Sequence, residues 1–377
     1  MAKRVMLAVA GAGKTYHICN SIKPNKKNLI LAYTHENVGN INKELIDAHG
    51  SIPELTSVMT FDSFVYRLLV RPYEPSIFRH FGQDDYKTSG ITLTDPPPSS
   101  IQVKKGVFRH NPNYSKKGTL GHYVNRRGYY FNSKTSELIM EIKEKKDSLI
   151  KKAALALNAF FDQIFIDEFQ DFRQYDFDLI VALSKTLDNV LLVGDYYQHS
   201  VSAINNSGKP FVVGKSKDIV NYSDFVESLV KLGFDVDNTT LIKSRRCPSA
   251  ICEFVTTNLG INIEADNPHS GSVIWLESDA QSIIDDDSIT KLVVKESDKY
   301  SFTSQNWSYS KGNTFSNACV VLTDNFETLA SKGFKLNTIA PSTINKLYVA
   351  MTRTKGNLYI IKYSTFQGLK KTYLKAT

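Results

Sequence analysis

The stretch "AVAGAGKT", residues 8–15, decides how the rest of the chain is read. It follows the apolar run "RVMLAVA" and leads into helical spacing. A strand, a loop of small residues and a Lys-Thr pair opening a helix match a phosphate-binding loop, with Ala8 in place of the first glycine. Small side chains let the backbone wrap an anion with its amide N–H groups pointing inward. On this reading Ala10, Gly11, Ala12, Gly13 and Tyr16 line the nucleotide. Lys14 reaches the β- and γ-phosphates, and Thr15 ligates Mg²⁺. The implied ligands are ATP and Mg²⁺.

Further strands follow the same logic. "NLILAYT" (28–34), "QIFIDEF" (163–169) and "NVLLVGD" (189–195) are apolar runs between helical segments. Such runs argue for a parallel sheet covered on both faces, with functional residues at the carboxyl ends of its strands. "IFIDEFQD" (164–171) ends in acids: Asp167 suits Mg²⁺, Glu168 suits a base for the attacking water, and Asp171 suits a cap on the next helix. "LLVGDYYQ" (191–198) ends in Gln198, placed to sense the γ-phosphate. A second α/β unit begins after about 200, with strands in "SVIWLE", "NACVVLTD" and "NLYIIKY". The stretch 261–310 has no clear assignment.

With 377 residues, two domains are expected, since one core stops growing at about 250–300 residues. The fold class is α/β, with two phosphate-loop domains built on parallel sheets: 1–199, carrying an insertion over about 71–150, and 200–377. Apolar residues make up 42%, too many for a disordered chain. No run of about 18 apolar residues appears, so no membrane span is expected. The basic, briefly apolar N-terminus reads as a buried strand, and the chain as cytoplasmic. Cys19, Cys247, Cys252 and Cys319 are scattered, which argues against zinc and disulfides and for buried thiols.

The net charge of +8 is unevenly spread. Residues 101–152 hold 13 Lys/Arg against four acids, a local net of +9. Phe108, Tyr114, Tyr123, Tyr129, Tyr130 and Phe131 are interleaved with them. Cations hold phosphates and rings stack on bases, so single-stranded nucleic acid is one candidate partner; a merely solvated face is the other. "DPPPSS" (95–100) excludes helix and central strand there. One helix is expected through 135–161.

"LIKSRRCPSA" (241–250) sets Arg245 and Arg246 at a strand-to-helix corner. Two adjacent guanidiniums resist burial without an anion.

Taken together these segments resemble superfamily 1 helicases of the UvrD/Rep type. "LAYTHENVGNINKEL" (31–45), "MTFDSFVYRLL" (59–69), "GDYYQ" (194–198), "SRRCPSAI" (244–251), "SKGNTFSNACVVL" (310–322) and "LYVAMTRTKGNLYII" (347–361) follow the family's motif order. The resemblance implies two RecA-like domains with ATP between them, the first supplying Lys14, Thr15, Asp167, Glu168 and Gln198. Arg246 and Arg353 match the family's γ-phosphate arginines. Arg245 falls where an aromatic ring usually stacks on adenine, and Gly312 and Thr314 fall on the nucleotide side of their motif. Thr34, Asn37, Thr60, Phe61 and Ser63 match strand contacts.

The implied activity is a single-stranded DNA translocase moving 3′ to 5′, with duplex unwinding open and RNA also open. The alternative is a DNA-sensing ATP switch that signals to a partner such as a nuclease. None of the seven residues before Ala8 is the glutamine that usually reads adenine. Thr314 stands where the family often has Glu. Only 64 residues lie between Arg246 and Lys311, too few for the family's large inserted subdomain.

Overall fold

A computed structural model describes residues 2–84, 87–142, 148–199, 210–213 and 218–375. The segment "HSVSAINNSG" (199–208), which follows Gln198, lies mostly outside them. The chain divides into two compact units. One runs over Ile18–Leu192. The other joins Arg4–His17 to the chain from Val193 onward.

The first unit is built on parallel strands in the order Gln163–Asp167, Asn28–Ala32, Thr56–Thr60. The middle strand is buried along its whole length, as a strand covered on both faces must be. Ile166 pairs with Leu31, and Ala32 with Thr60, so the three carboxyl ends lie side by side. Helix His35–His49 begins under Thr34, whose hydroxyl accepts from Asn37 N–H, and ends at Gly50 in the left-handed region.

The insertion departs from the expected single helix. Over 135–161 the described residues form two helices, Thr135–Glu141 and Leu149–Phe160. Ile142 is extended, and Ser148 caps the second helix by accepting from Lys151 N–H, a competing local bond that starts a new helix. Its rings also divide. Phe108 is 64% exposed and Tyr129 exposed, whereas Tyr123, Tyr130 and Phe131 are core. Tyr130 donates its hydroxyl to Glu74 at 3.0 Å, and the Tyr123 ring packs 5.8 Å from Phe81. Aromatic interleaving alone does not separate contact rings from core rings.

In the second unit the strand that leads into the phosphate loop pairs in parallel with Asp235–Leu241, Ala8 opposite Leu241. A five-stranded parallel sheet follows, in the order Val273–Leu276, Leu358–Ile361, Ala318–Val321, Thr290–Val293, Ser304–Asn306. The three strands expected from sequence are all present. The other two come from the unassigned stretch; Ser304–Asn306 is a polar edge strand with no apolar pattern to reveal it. Between Arg246 and Lys311 the chain forms helix Ser249–Leu259 and strands of this sheet.

Candidate nucleotide and nucleic-acid sites

Strand pairing explains why the phosphate loop meets the arginine pair. The loop leaves its strand at Ala8, and residues 243–246 leave the neighbouring strand at Leu241. Val9 N–H donates to Leu241 C=O at 2.9 Å, and Arg245 N–H donates to Gly11 C=O at 2.9 Å. Gly11 has φ +74°, and an added Cβ would lie 2.7 Å from both Arg246 Cβ and Ser244 Oγ. Only glycine fits that conformation and that gap. Ser244 Oγ accepts from Arg246 N–H (3.3 Å) and Cys247 N–H (3.0 Å), holding the arginine corner.

The two arginines then separate. Arg245 turns its guanidinium over the Tyr16 ring, 4.2 Å from its centre, and Tyr16 is 43% exposed. Arg246 turns inward, its Nη1 donating to Thr352 C=O at 3.2 Å. Arg353, 2% exposed, donates Nε to Val349 C=O at 2.8 Å, while its Nη2 is buried without a hydrogen-bond partner. Burial, then the nearby Arg246 charge, pushes the Arg353 pKa down to about 10. Neither Arg246 nor Arg353 forms an ion pair among the described residues. Two buried or half-buried guanidiniums beside a glycine-lined loop lack an anion, and a nucleotide phosphate fits that deficit.

Gln198 is buried and donates Nε2 to Asp195 Oδ2 at 2.6 Å. Asp195 also accepts from the Tyr348 hydroxyl at 3.4 Å, and that hydroxyl accepts from Ala10 N–H at 2.7 Å. Burial first, then Asp195, raises the Tyr348 pKa well above its ordinary value, so the hydroxyl stays neutral. Asp195 and Tyr348 belong to quoted motifs, yet nothing in a linear pattern assigns them this relay. Tyr196 and Tyr197 pack rather than project: Tyr196 donates its hydroxyl to Val220 C=O, and Tyr197 stacks on Tyr222 at 5.3 Å. Gly312 and Thr314 lie exposed in the turn before strand Ala318–Val321, and Phe315 N–H donates to Arg353 C=O at 2.8 Å.

In the first unit Asp167 ends its strand buried and accepts from Glu168 N–H at 3.0 Å. Glu168 adopts φ 54°, a strained backbone for a residue other than glycine. Gln170 Nε2 donates to its carboxylate. Asp171 does not cap the next helix. It sits in a short 3₁₀ turn, and helix Gln174–Ser184 starts at Arg173 with Asp176 in its first turn.

Thr34 and Thr60 stand at the carboxyl ends of adjacent strands, each capping a helix; Thr60 Oγ1 accepts from Ser63 N–H at 3.2 Å. Asn37 lies in the first turn of its helix. Phe61 is 1% exposed, its ring 4.4 Å from that of Phe172, so its side chain serves the core and is closed to a strand. The four cysteines are buried and free. No cluster of three or more His, Cys, Asp or Glu among the described residues is arranged to hold a metal ion. No helix among them is long and apolar enough to cross a membrane.

Residues 2–203 match the family described as AAA domain, and residues 130–362 match the viral superfamily 1 RNA helicase core domain. No curated protein matches the chain in sequence. Among solved structures, the chain is 14% identical to an arterivirus nonstructural protein 10 helicase in complex with DNA, at TM-score 0.45, covering 98% of this chain and 62% of that one. A PRRSV helicase is 13% identical at TM-score 0.43, covering 99% and 55%. The chain thus spans little more than half the length of these proteins. With its parallel α/β architecture, its two compact units and family matches that each cover more than half of its residues, the chain belongs to the superfamily 1 helicases.

Proposed function

We propose that the chain is an ATPase driven by single-stranded nucleic acid, stepping along the strand 3′ to 5′, organised as RecA-like domains over 1–199 and 200–377. The observation that carries the nucleotide half is the orphaned Nη2 of buried Arg353 beside Arg246 and the glycine-lined loop. The loop amides and Lys14 hold the phosphates. Arg246 and Arg353 stabilise charge that grows on the transferred phosphoryl group, a contribution of about 10³–10⁵ in rate for arginine fingers. Thr15 would offer its hydroxyl and Asp167 its carboxylate to a Mg²⁺ ion arriving with the nucleotide, which would neutralise phosphate charge. Glu168 orients and deprotonates the attacking water. Gln198 senses the γ-phosphate, and the Ala10–Tyr348–Asp195 relay ties that sensor to the loop. Tyr16 and Arg245 offer two flat faces for the base.

Thr34, Asn37, Thr60 and Ser63 stand at helix starts beside the carboxyl ends of adjacent strands, a position that suits strand phosphates. The motif order is that of UvrD/Rep-type DNA translocases, whereas the matching family description names RNA, so both strands belong in the assay. ATP hydrolysis is measured alone, with oligo-dT and with oligo-U. Displacement of streptavidin from biotinylated ends is measured in parallel. Stimulation with displacement supports the motor. Stimulation without displacement identifies a switch that signals to a partner. No stimulation by either strand removes the proposal, as does a Lys14→Ala chain that hydrolyses ATP at the wild-type rate. Glu168→Gln is expected to bind ATP and not hydrolyse it.

A further inference from the structure

A cavity of about 650 Å³ opens within the insertion, in the size range of about 300–1,000 Å³ typical of ligand sites. Its floor is strand Tyr129–Phe131, paired in parallel with Gly90–Thr92. Side chains alternate along a strand. Tyr130 points into the core toward Glu74, leaving Tyr129 and Phe131 to line the cavity. Arg126 and Arg127 stand exposed on its rim. Their turn is held by Asn125, whose Oδ1 accepts from Arg127 N–H (2.9 Å) and Tyr129 N–H (3.1 Å). On another wall Tyr114 meets His110 edge-on at 6.5 Å. No acidic side chain lines the cavity.

The unused charge is what makes this a site. Lys117 and Lys134 are both spent on Glu137, at 2.9 and 2.8 Å. Arg126 and Arg127 make no ion pair among the described residues, nor do Lys104, Lys105, Arg109 and Lys116. Three of these lie on the hairpin Ser100–Lys104/Val107–His110 and its turn, which is exposed nearly throughout and carries Phe108. The hairpin runs directly into the cavity wall at Pro112. Along the chain, cations without ion pairs therefore continue from the cavity wall onto the exposed hairpin, as a ligand with several phosphates would require. A polyanion with flat bases matches it: phosphates along the cations, bases on the tyrosines.

We infer that this cavity is a strand-holding subsite of single-stranded nucleic acid, with at least one base stacked on Tyr129 or Tyr114 and its flanking phosphates on Arg126 and Arg127. The inference rests on the nucleic-acid reading above. It makes the insertion a second grip on the strand, on a part of the unit remote in sequence from Thr34 and Thr60.

The test uses the full chain with fluorescein-labelled dT and U 15-mers across a salt series. Arg126→Gln/Arg127→Gln is expected to reduce the slope of log affinity against log salt by about 1.4, at about 0.7 per lost phosphate contact. Tyr129→Ala is expected to weaken binding about 10-fold with the slope unchanged, and Tyr129→Phe to restore it. ATP hydrolysis without nucleic acid stays at wild-type rate in all three. A 4-thiothymidine oligonucleotide is expected to crosslink to the 112–131 segment. An unchanged slope together with crosslinks confined to residues 34–63 would overturn the subsite while leaving the nucleic-acid reading intact. A wild-type chain that binds neither strand would overturn both. The dT and U arms show which sugar the site prefers.

Discussion

The Arg245 guanidinium lies 4.2 Å from the centre of the Tyr16 ring, while the side chain of its neighbour Arg246 reaches Thr352 C=O instead. Two adjacent cations are thereby assigned to different surroundings. Arg245→Ala is expected to weaken ATP binding about 3- to 30-fold, the worth of a stacked cation, with kcat little changed. Arg246→Ala is expected to lower kcat by about 10³. Steady-state kinetics with an independent nucleotide-binding titration separates the two, and equal catalytic loss with unchanged affinity in both would refute the split.

Tyr348→Phe leaves Ala10 N–H without its buried acceptor and releases Asp195 from one of its donors. An unsatisfied buried amide costs about 1–3 kcal/mol. The variant is expected to melt at lower temperature, and to regain stability when ATP analogue is added, because bound phosphate restrains the loop. Calorimetry with and without the analogue reads both effects.

Gly11→Ala meets a left-handed backbone and two atoms at 2.7 Å. Nucleotide affinity is expected to fall more than about 10-fold, since the loop must move to admit the methyl group. Gly39 lies inside helix His35–His49 with open space around its Cβ position. Gly39→Ala is therefore expected to stabilise by about 0.5–1 kcal/mol. Denaturant titration of the pair distinguishes backbone strain from a generic effect of alanine.

Glu137 is a buried carboxylate with Lys134 and Lys117 on its oxygens and His122 at 3.7 Å. Burial by itself raises its pKa. The contacts from His122, Lys134 and Lys117 outweigh burial and hold the carboxyl well below the usual carboxylate range. A depressed folded pKa contributes stability above the unfolded value of about 4.3 and loses it as pH falls through the folded one. Glu137→Gln is expected to cost about 1–2 kcal/mol at pH 7, discounted because Lys117 is half exposed, and to cost progressively less below pH 4. Hydrogen exchange over residues 117–141 at pH 7 and pH 4 measures it.

Much of the strand framework was legible beforehand because a strand buried on both faces must be an uninterrupted apolar run, as in Asn28–Ala32 and Gln163–Asp167. The polar strand Ser304–Asn306 was not, since an edge strand needs no such run. The helix expected across 135–161 failed where Ile142 turned extended and Ser148 offered a local cap, a competition that apolar spacing does not register.

The sequence by itself determined the parallel α/β class, the phosphate loop, and which arginines and acids stand at strand ends, because backbone small-residue needs and apolar runs are local properties. Tertiary structure alone decided that Arg245 faces Tyr16 while Arg353 keeps a buried, unpartnered Nη2. It decided that Tyr348 and Asp195 bridge Ala10 to Gln198, and that Phe61 and Tyr130 are core while Tyr129 faces a basic cavity. Direction of a side chain, and whether a charge finds its partner, depend on residues hundreds of positions away, and pairing register such as Ala8 with Leu241 is what brings them within reach.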